Sequence, residues 1–130
     1  MAHKSDLINY WIDRCNSTIE EAKIAIDLDK LHLAYNRIYY SIYYVVSALA
    51  LKNDFSSSKH SNLLGWFNKN YIITGKVSKE LGKIYNKAFE TRQESDYEDM
   101  VTFEIEDAKR DYGNMLTFVK EIKKLLLTRM

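Results

Sequence analysis

A chain of 130 residues, 46% hydrophobic and 28% charged, is long enough to bury one real core and polar enough to suit water. Nineteen lysines and arginines against eighteen acidic residues leave a net charge of +1, which excludes recognition of nucleic acid by the field of the whole molecule; any such contact has to be local. With no proline and only four glycines, helix breakers are scarce, and long helices joined by short turns are expected.

Leu7, Trp11, Cys15, Ile19, Ala22 and Ile26 recur at helical spacing, which predicts an amphipathic helix from Ser5 to about Leu28. The Asp27–Asp29 stretch separates it from a second helix, Leu31 to about Lys52. There Ala34, Ile38, Ile42, Val45 and Leu49 form one apolar stripe, and Tyr35, Tyr39, Tyr40, Tyr43 and Tyr44 cover much of the remaining surface. A helix apolar or aromatic nearly all round belongs at the centre of its bundle. Asn53 to Ser58 reads as a polar loop ending in an N-cap. A third helix is expected from about Lys59 to Tyr71, with Leu63, Leu64, Phe67 and Tyr71 inward. Thr74-Gly75-Lys76 is a turn, and Ser78 caps a fourth helix that carries Leu81, Tyr85 and Ala88 inward and ends near Ser95. The last helix starts near Phe103. Its acidic beginning (Glu104, Glu106, Asp107) and basic end (Lys120, Lys123, Lys124, Arg129) complement the helix dipole. The fold class is therefore all-α, an up-and-down bundle of four to five helices, with residues 1–130 read as one domain. The N-terminus lacks the pattern of a signal peptide, and the longest apolar run, Ile38 to Leu51, is too short for a bilayer. A lone Cys15 forms no internal disulfide, so a cytoplasmic location is expected.

Metal and hydrolase constellations are missing. His3, His32 and His60 do not stand at the spacing of a zinc pair, and no phosphate-binding glycine loop or nucleophile elbow is present. Neither a metal nor a cofactor is implied. Arg92 continues the stripe Leu81, Tyr85, Ala88, so its guanidinium emerges from an apolar face; it reads either as a partner of Asp96 at i+4 or as a cation positioned for a phosphate. Arg37 has Tyr40 and Tyr44 on its own face, and Asn36, tyrosine hydroxyls or an acid on another helix could satisfy it. His60, at the start of the third helix, faces inward, where a helix N-terminus favours neutral imidazole. Packing is the plainer reading of the tyrosines, because no basic track runs beside them in the sequence.

Taken in order, Ala34-Tyr35-Asn36-Arg37-Ile38-Tyr39-Tyr40-Ser41, Lys59-His60-Ser61 with Gly65 and Phe67, Thr74-Gly75, Lys79-Glu80-Leu81-Gly82 and Arg92-Gln93-Glu94-Ser95-Asp96-Tyr97 resemble the HEPN family, and within it a branch of small stand-alone prokaryotic proteins. The resemblance implies a helical bundle that forms a two-fold homodimer. It further implies a partner, a small nucleotidyltransferase, in a toxin–antitoxin or defence pair. Many relatives in that family are metal-independent ribonucleases whose signature is an arginine followed, after a spacer of four to six residues, by a histidine. Here Arg92 is followed at that distance by Tyr97, Glu98 and Asp99, and Arg14, Arg37 and Arg110 fail the same test. An ordinary tyrosine, with a pKa near ~10, is a poor base at neutral pH.

The expectation is thus a HEPN module without the usual ribonuclease motif. It would act as a dimer with a nucleotidyltransferase partner and bind nucleotide or RNA through Asn36, Arg37, Tyr40, His60, Arg92, Asp96 and Tyr97. The alternative is a metal-independent RNA endonuclease in which His60 supplies the relocated base, Arg92 stabilises charge and Tyr97 holds a phosphate. Tyr97 is also a candidate for AMP addition by the partner.

Overall fold

The computed structural model describes residues 3–97 and 101–127, apart from the side chains of Asp96 and Tyr97. Among them run α1 (His3–Asp27), α2 (Leu31–Lys52), α3 (His60–Phe67), a π-helical turn (Asn68–Ile72), α4 (Lys79–Tyr97) and α5 (Ile105–Leu127), with no strand. The all-α bundle expected from periodicity is the fold observed.

α2 is the hub and packs against α1, α3, α4 and α5. Its predicted stripe, Ala34, Ile38, Ile42, Val45 and Leu49, is buried, and so are Tyr35, Tyr39 and Tyr44. α4 runs antiparallel to α2, since Ser95 meets His32 while Ile84 lies by Ile42. Phe67 of α3, Tyr85 of α4 and Phe118 of α5 meet in one buried cluster, with ring centroids 5.5–5.7 Å apart.

Both long N-terminal helices end the same way. Asp29 (φ 57°) and Asp54 (φ 62°) take the left-handed conformation usually given to glycine. The following amides, Lys30 N and Phe55 N, donate back to the carbonyls of Ala25 and Ala50 at 2.8 Å. Aspartate tolerates this conformation better than most side chains, which is how a chain so poor in glycine still turns sharply. At the start of α4 the Ser78 hydroxyl accepts the Leu81 amide at 3.3 Å, as a cap should.

Three local expectations need correction. The serine loop does not end in a capping Ser58: Lys59 stands at the N-cap of α3 without a side-chain cap, and Ser57 Oγ instead accepts the Lys59 amide at 3.1 Å. The third helix does not continue as α-helix to Tyr71 but widens into the π-turn, where α4 comes so close that a side chain at Gly82 would meet Ile72 at 3.1 Å. Leu7, expected inward, is 42% exposed, because it lies at the rim of a surface cavity between α1, α2 and the loop after α2, beside Trp11 and Tyr43.

Candidate functional site: a tyrosine ladder flanked by arginines

The tyrosines of α2 lie at helical spacing, so their rings form a ladder along one flank, and neighbouring residues of other helices close over it. Tyr40 touches Tyr39, Tyr43 and Tyr44 at centroid distances of 5.2, 5.7 and 5.7 Å. Three guanidinium groups from three helices reach this ladder. Arg92 of α4 donates to the Tyr40 hydroxyl at 3.3 Å and lies 5.4 Å from the ring centroids of both Tyr39 and Tyr40. Arg37 of α2 lies 5.2 Å from the Tyr40 centroid. Arg14 of α1 lies 4.8 Å from the Tyr44 centroid and donates to the hydroxyls of Tyr44 at 2.7 Å and Tyr10 at 3.0 Å. Each is a cation–π geometry, favourable by roughly 0.5–2 kcal/mol as desolvation increases.

His60 completes the cluster from the first turn of α3. Its ring stacks on Tyr43 at 4.3 Å and on Tyr39 at 5.6 Å, and meets Tyr40 edge-on at 5.6 Å. Nδ1 is 2.8 Å from the Tyr39 hydroxyl. Partial burial, and then the positive charge of Arg92, hold the imidazole pKa below its usual value, so the ring is neutral near pH 7. Burial also raises the hydroxyl pKa of Tyr39 and Tyr43, which removes both as bases at neutral pH.

Five of the seven residues singled out from sequence, Asn36, Arg37, Tyr40, His60 and Arg92, thus stand on one flank of the bundle. The side chains of Asp96 and Tyr97 lie outside the described residues. Arg37 turns out to be held on both sides: Asn36 Oδ1 accepts from its Nε and Nη2 at 3.0 and 2.8 Å, and Glu21 of α1 pairs with Nη1 at 3.0 Å. Arg14, Tyr39, Tyr43 and Tyr44 belong to the cluster although sequence reading did not place them in a site. The lack of a basic track beside the tyrosines needs correcting as well, because the cations come from distant positions on three helices. A signal existed for Arg14, which follows Tyr10 by four residues and so shares its face of α1.

A cavity of about 170 Å³ between α2, α4 and α5 holds none of these residues; Tyr35, Ile38, Ile42, Ile84 and Ala88 make its apolar wall. Among the described residues no group of three or more His, Cys, Asp or Glu side chains is placed to hold a metal ion, and no helix is long and apolar enough to cross a membrane.

Compared with known families, the chain matches the HEPN domain model over residues 8–128. The chain belongs to the HEPN family. It is 44% identical over 126 residues, 97% of this chain and 96% of the relative, to a "UPF0332 protein" of Thermotoga maritima. It is 30% identical over 118 residues, 91% of this chain and 80% of the relative, to "Putative toxin MJ0142" of Methanocaldococcus jannaschii.

Proposed function

We propose that this protein is a toxin-class HEPN module that binds single-stranded RNA, or a nucleotide, on the tyrosine–arginine flank of α2, and lacks the family's arginine–histidine cleavage motif. The observation that carries the reading is the convergence of three guanidiniums from three helices on one tyrosine ladder. Bases stack on aromatic rings whatever their sequence, and arginine matches phosphate geometry, so rings alternating with guanidiniums suit a strand of RNA. A net charge of +1 is no obstacle when the cations are gathered on one flank. The toxin class rests on the name of the Methanocaldococcus relative. Fluorescence anisotropy with a labelled single-stranded RNA tests it. Wild type should bind in the micromolar range at low salt, and Arg92→Ala should weaken binding about tenfold, or about 1.4 kcal/mol. Equal binding by wild type and Arg92→Ala would sink the reading.

The module acts as a homodimer and together with a nucleotidyltransferase partner. Family membership motivates both, and exposed Ile24, Leu28 and Leu33 at the α1–α2 turn give a second copy an apolar surface to cover. A monomeric mass in light scattering at micromolar concentration would count against the dimer. Co-purification with a co-expressed nucleotidyltransferase tests the partner.

A second reading, metal-independent RNA cleavage with His60 as base and Arg92 stabilising the developing charge, is favoured by one observation: both side chains pack on Tyr39 and Tyr40. Cleavage of total tRNA in EDTA to a cyclic phosphate, lost in both His60→Ala and Arg92→Ala, would establish it.

A further inference from the structure

A neutral imidazole carries its proton on one nitrogen, and the partner of the other decides which. At His60 that partner is the Tyr39 hydroxyl, 2.8 Å from Nδ1. If Nδ1 carried the proton, the Tyr39 oxygen would accept it and the phenolic proton would need another acceptor. Tyr39 is fully buried, no second hydrogen bond of its hydroxyl exists among the described residues, and the Tyr85 hydroxyl is likewise buried without a partner among them. A buried hydroxyl proton left without an acceptor is unfavourable, because its lost hydration is not replaced. The other arrangement wastes nothing: Tyr39 donates to Nδ1 and the proton of the ring sits on Nε2. Stacking on Tyr43 and Tyr39 fixes the ring plane, so the ring cannot flip without breaking that bond. Nε2, on the opposite edge, has no protein partner among the described residues.

We infer that Tyr39 is a positioning residue that fixes His60 as an Nε2–H donor, and that His60 with Arg92 forms a binding pair for an oxyanion, a phosphodiester, and not an acid–base couple. The phosphodiester rests on the function proposed above; the tautomer does not. Burial first, and then the positive charge of Arg92, disfavour protonation of the ring, which keeps the imidazole neutral and therefore a directional donor next to a charge. An Nε2–H cannot take a proton from a ribose hydroxyl, so the same geometry argues against His60 as the base of a ribonuclease.

The test is a long-range ¹H–¹⁵N correlation on protein labelled in histidine at pH 7.5, with His60 assigned by His60→Gln. The expected pattern is an unprotonated Nδ1 and a protonated Nε2 in wild type, moving to a tautomer-averaged pattern in Tyr39→Phe. A protonated Nδ1 in wild type overturns the inference even if the variant fails to fold, and a folded Tyr39→Phe with an unchanged Nε2–H pattern overturns the role of Tyr39. Titration with inorganic phosphate should move the Nε2 resonance, less so in Arg92→Lys. Phosphate moving it while RNA does not bind sinks the RNA reading and leaves this one standing. RNA bound with the His60 resonances unmoved does the reverse, and RNA cleavage that needs His60 overturns the donor role.

Discussion

Tyr35 and Tyr40 lie little more than a turn apart on α2 and meet different kinds of partner. The Tyr35 hydroxyl donates to Asp111 of α5 at 2.6 Å, and the other oxygen of that carboxylate accepts from Lys87 of α4 at 3.1 Å. Donor, acceptor and counter-charge come from three different helices of the bundle, so the group is a clamp that ties them together. Tyr40 is only half-buried, and its ring lies beside two guanidiniums, with its hydroxyl accepting from one of them. There Arg37 is paired with Glu21, 55% exposed, and further along the ladder Arg14 sits between tyrosine rings. A tyrosine bound to a buried acid consolidates the fold, whereas a tyrosine beneath arginines holds positive charge at a surface. The difference lies in the neighbours, not in the residue type.

The contrast predicts separable effects. The largest falls on the buried side: Phe118→Ala, removing a ring from the Phe67–Tyr85–Phe118 cluster, should cost about 3–5 kcal/mol in urea unfolding. Next, Asp111→Ala should cost about 1–3 kcal/mol by stranding the Tyr35 hydroxyl, and much of that cost should vanish in the background of Tyr35→Phe. RNA affinity of the folded Asp111→Ala protein should stay at the wild-type value; a tenfold loss would show that the two regions are one. Arg92→Ala sharpens the opposite side, with affinity about tenfold lower and a stability change within about 1 kcal/mol, the usual size of a cation–π contact.

Burial also has a pH signature. Cys15 is fully buried, which pushes its thiol up to about 11 from the usual 9.0. The neutral thiol is the form that the fold accepts, so its stabilising effect is complete below pH 9 and is lost as pH rises towards 11. Between pH 8 and 10, wild type should lose about 1 kcal/mol more stability than Cys15→Ala. Equal losses would mean that the tyrosines, not the thiol, set the alkaline limb.

Periodicity alone located the bundle, the span of α2 and its place at the centre, because a helix lined with Ala34, Ile38, Ile42, Val45 and Leu49 and covered by tyrosines has no other stable position. The π-turn at Asn68–Ile72 was hidden, since a widened turn depends on how closely α4 approaches at Gly82. The site was legible in pieces. Arg92 was found because it extends a stripe, and His60 because it opens a helix. That the two share Tyr39 and Tyr40 depends on the antiparallel packing of α2 and α4, which no local spacing records.

Arg14 is the sharpest case, because it sits beside Cys15 and the two point to different faces of α1. Successive helical residues diverge by about 100°, so Cys15 enters the core while Arg14 reaches Tyr10 and Tyr44. Trp11, one turn back, stacks on Tyr44 at 5.6 Å and extends the ladder on to α1. If RNA follows the ladder, Arg14 contacts phosphate at its far end. Arg14→Ala should then weaken binding about threefold, less than Arg92→Ala, and lower the salt dependence of log K by about 0.7, the value for one phosphate of a single strand. A lower affinity with an unchanged salt slope would assign Arg14 to holding Tyr44 in place, and the RNA path would end at Tyr40. Arg14→Lys separates the two outcomes further: it keeps the charge for phosphate but loses the planar fork that joins the hydroxyls of Tyr10 and Tyr44.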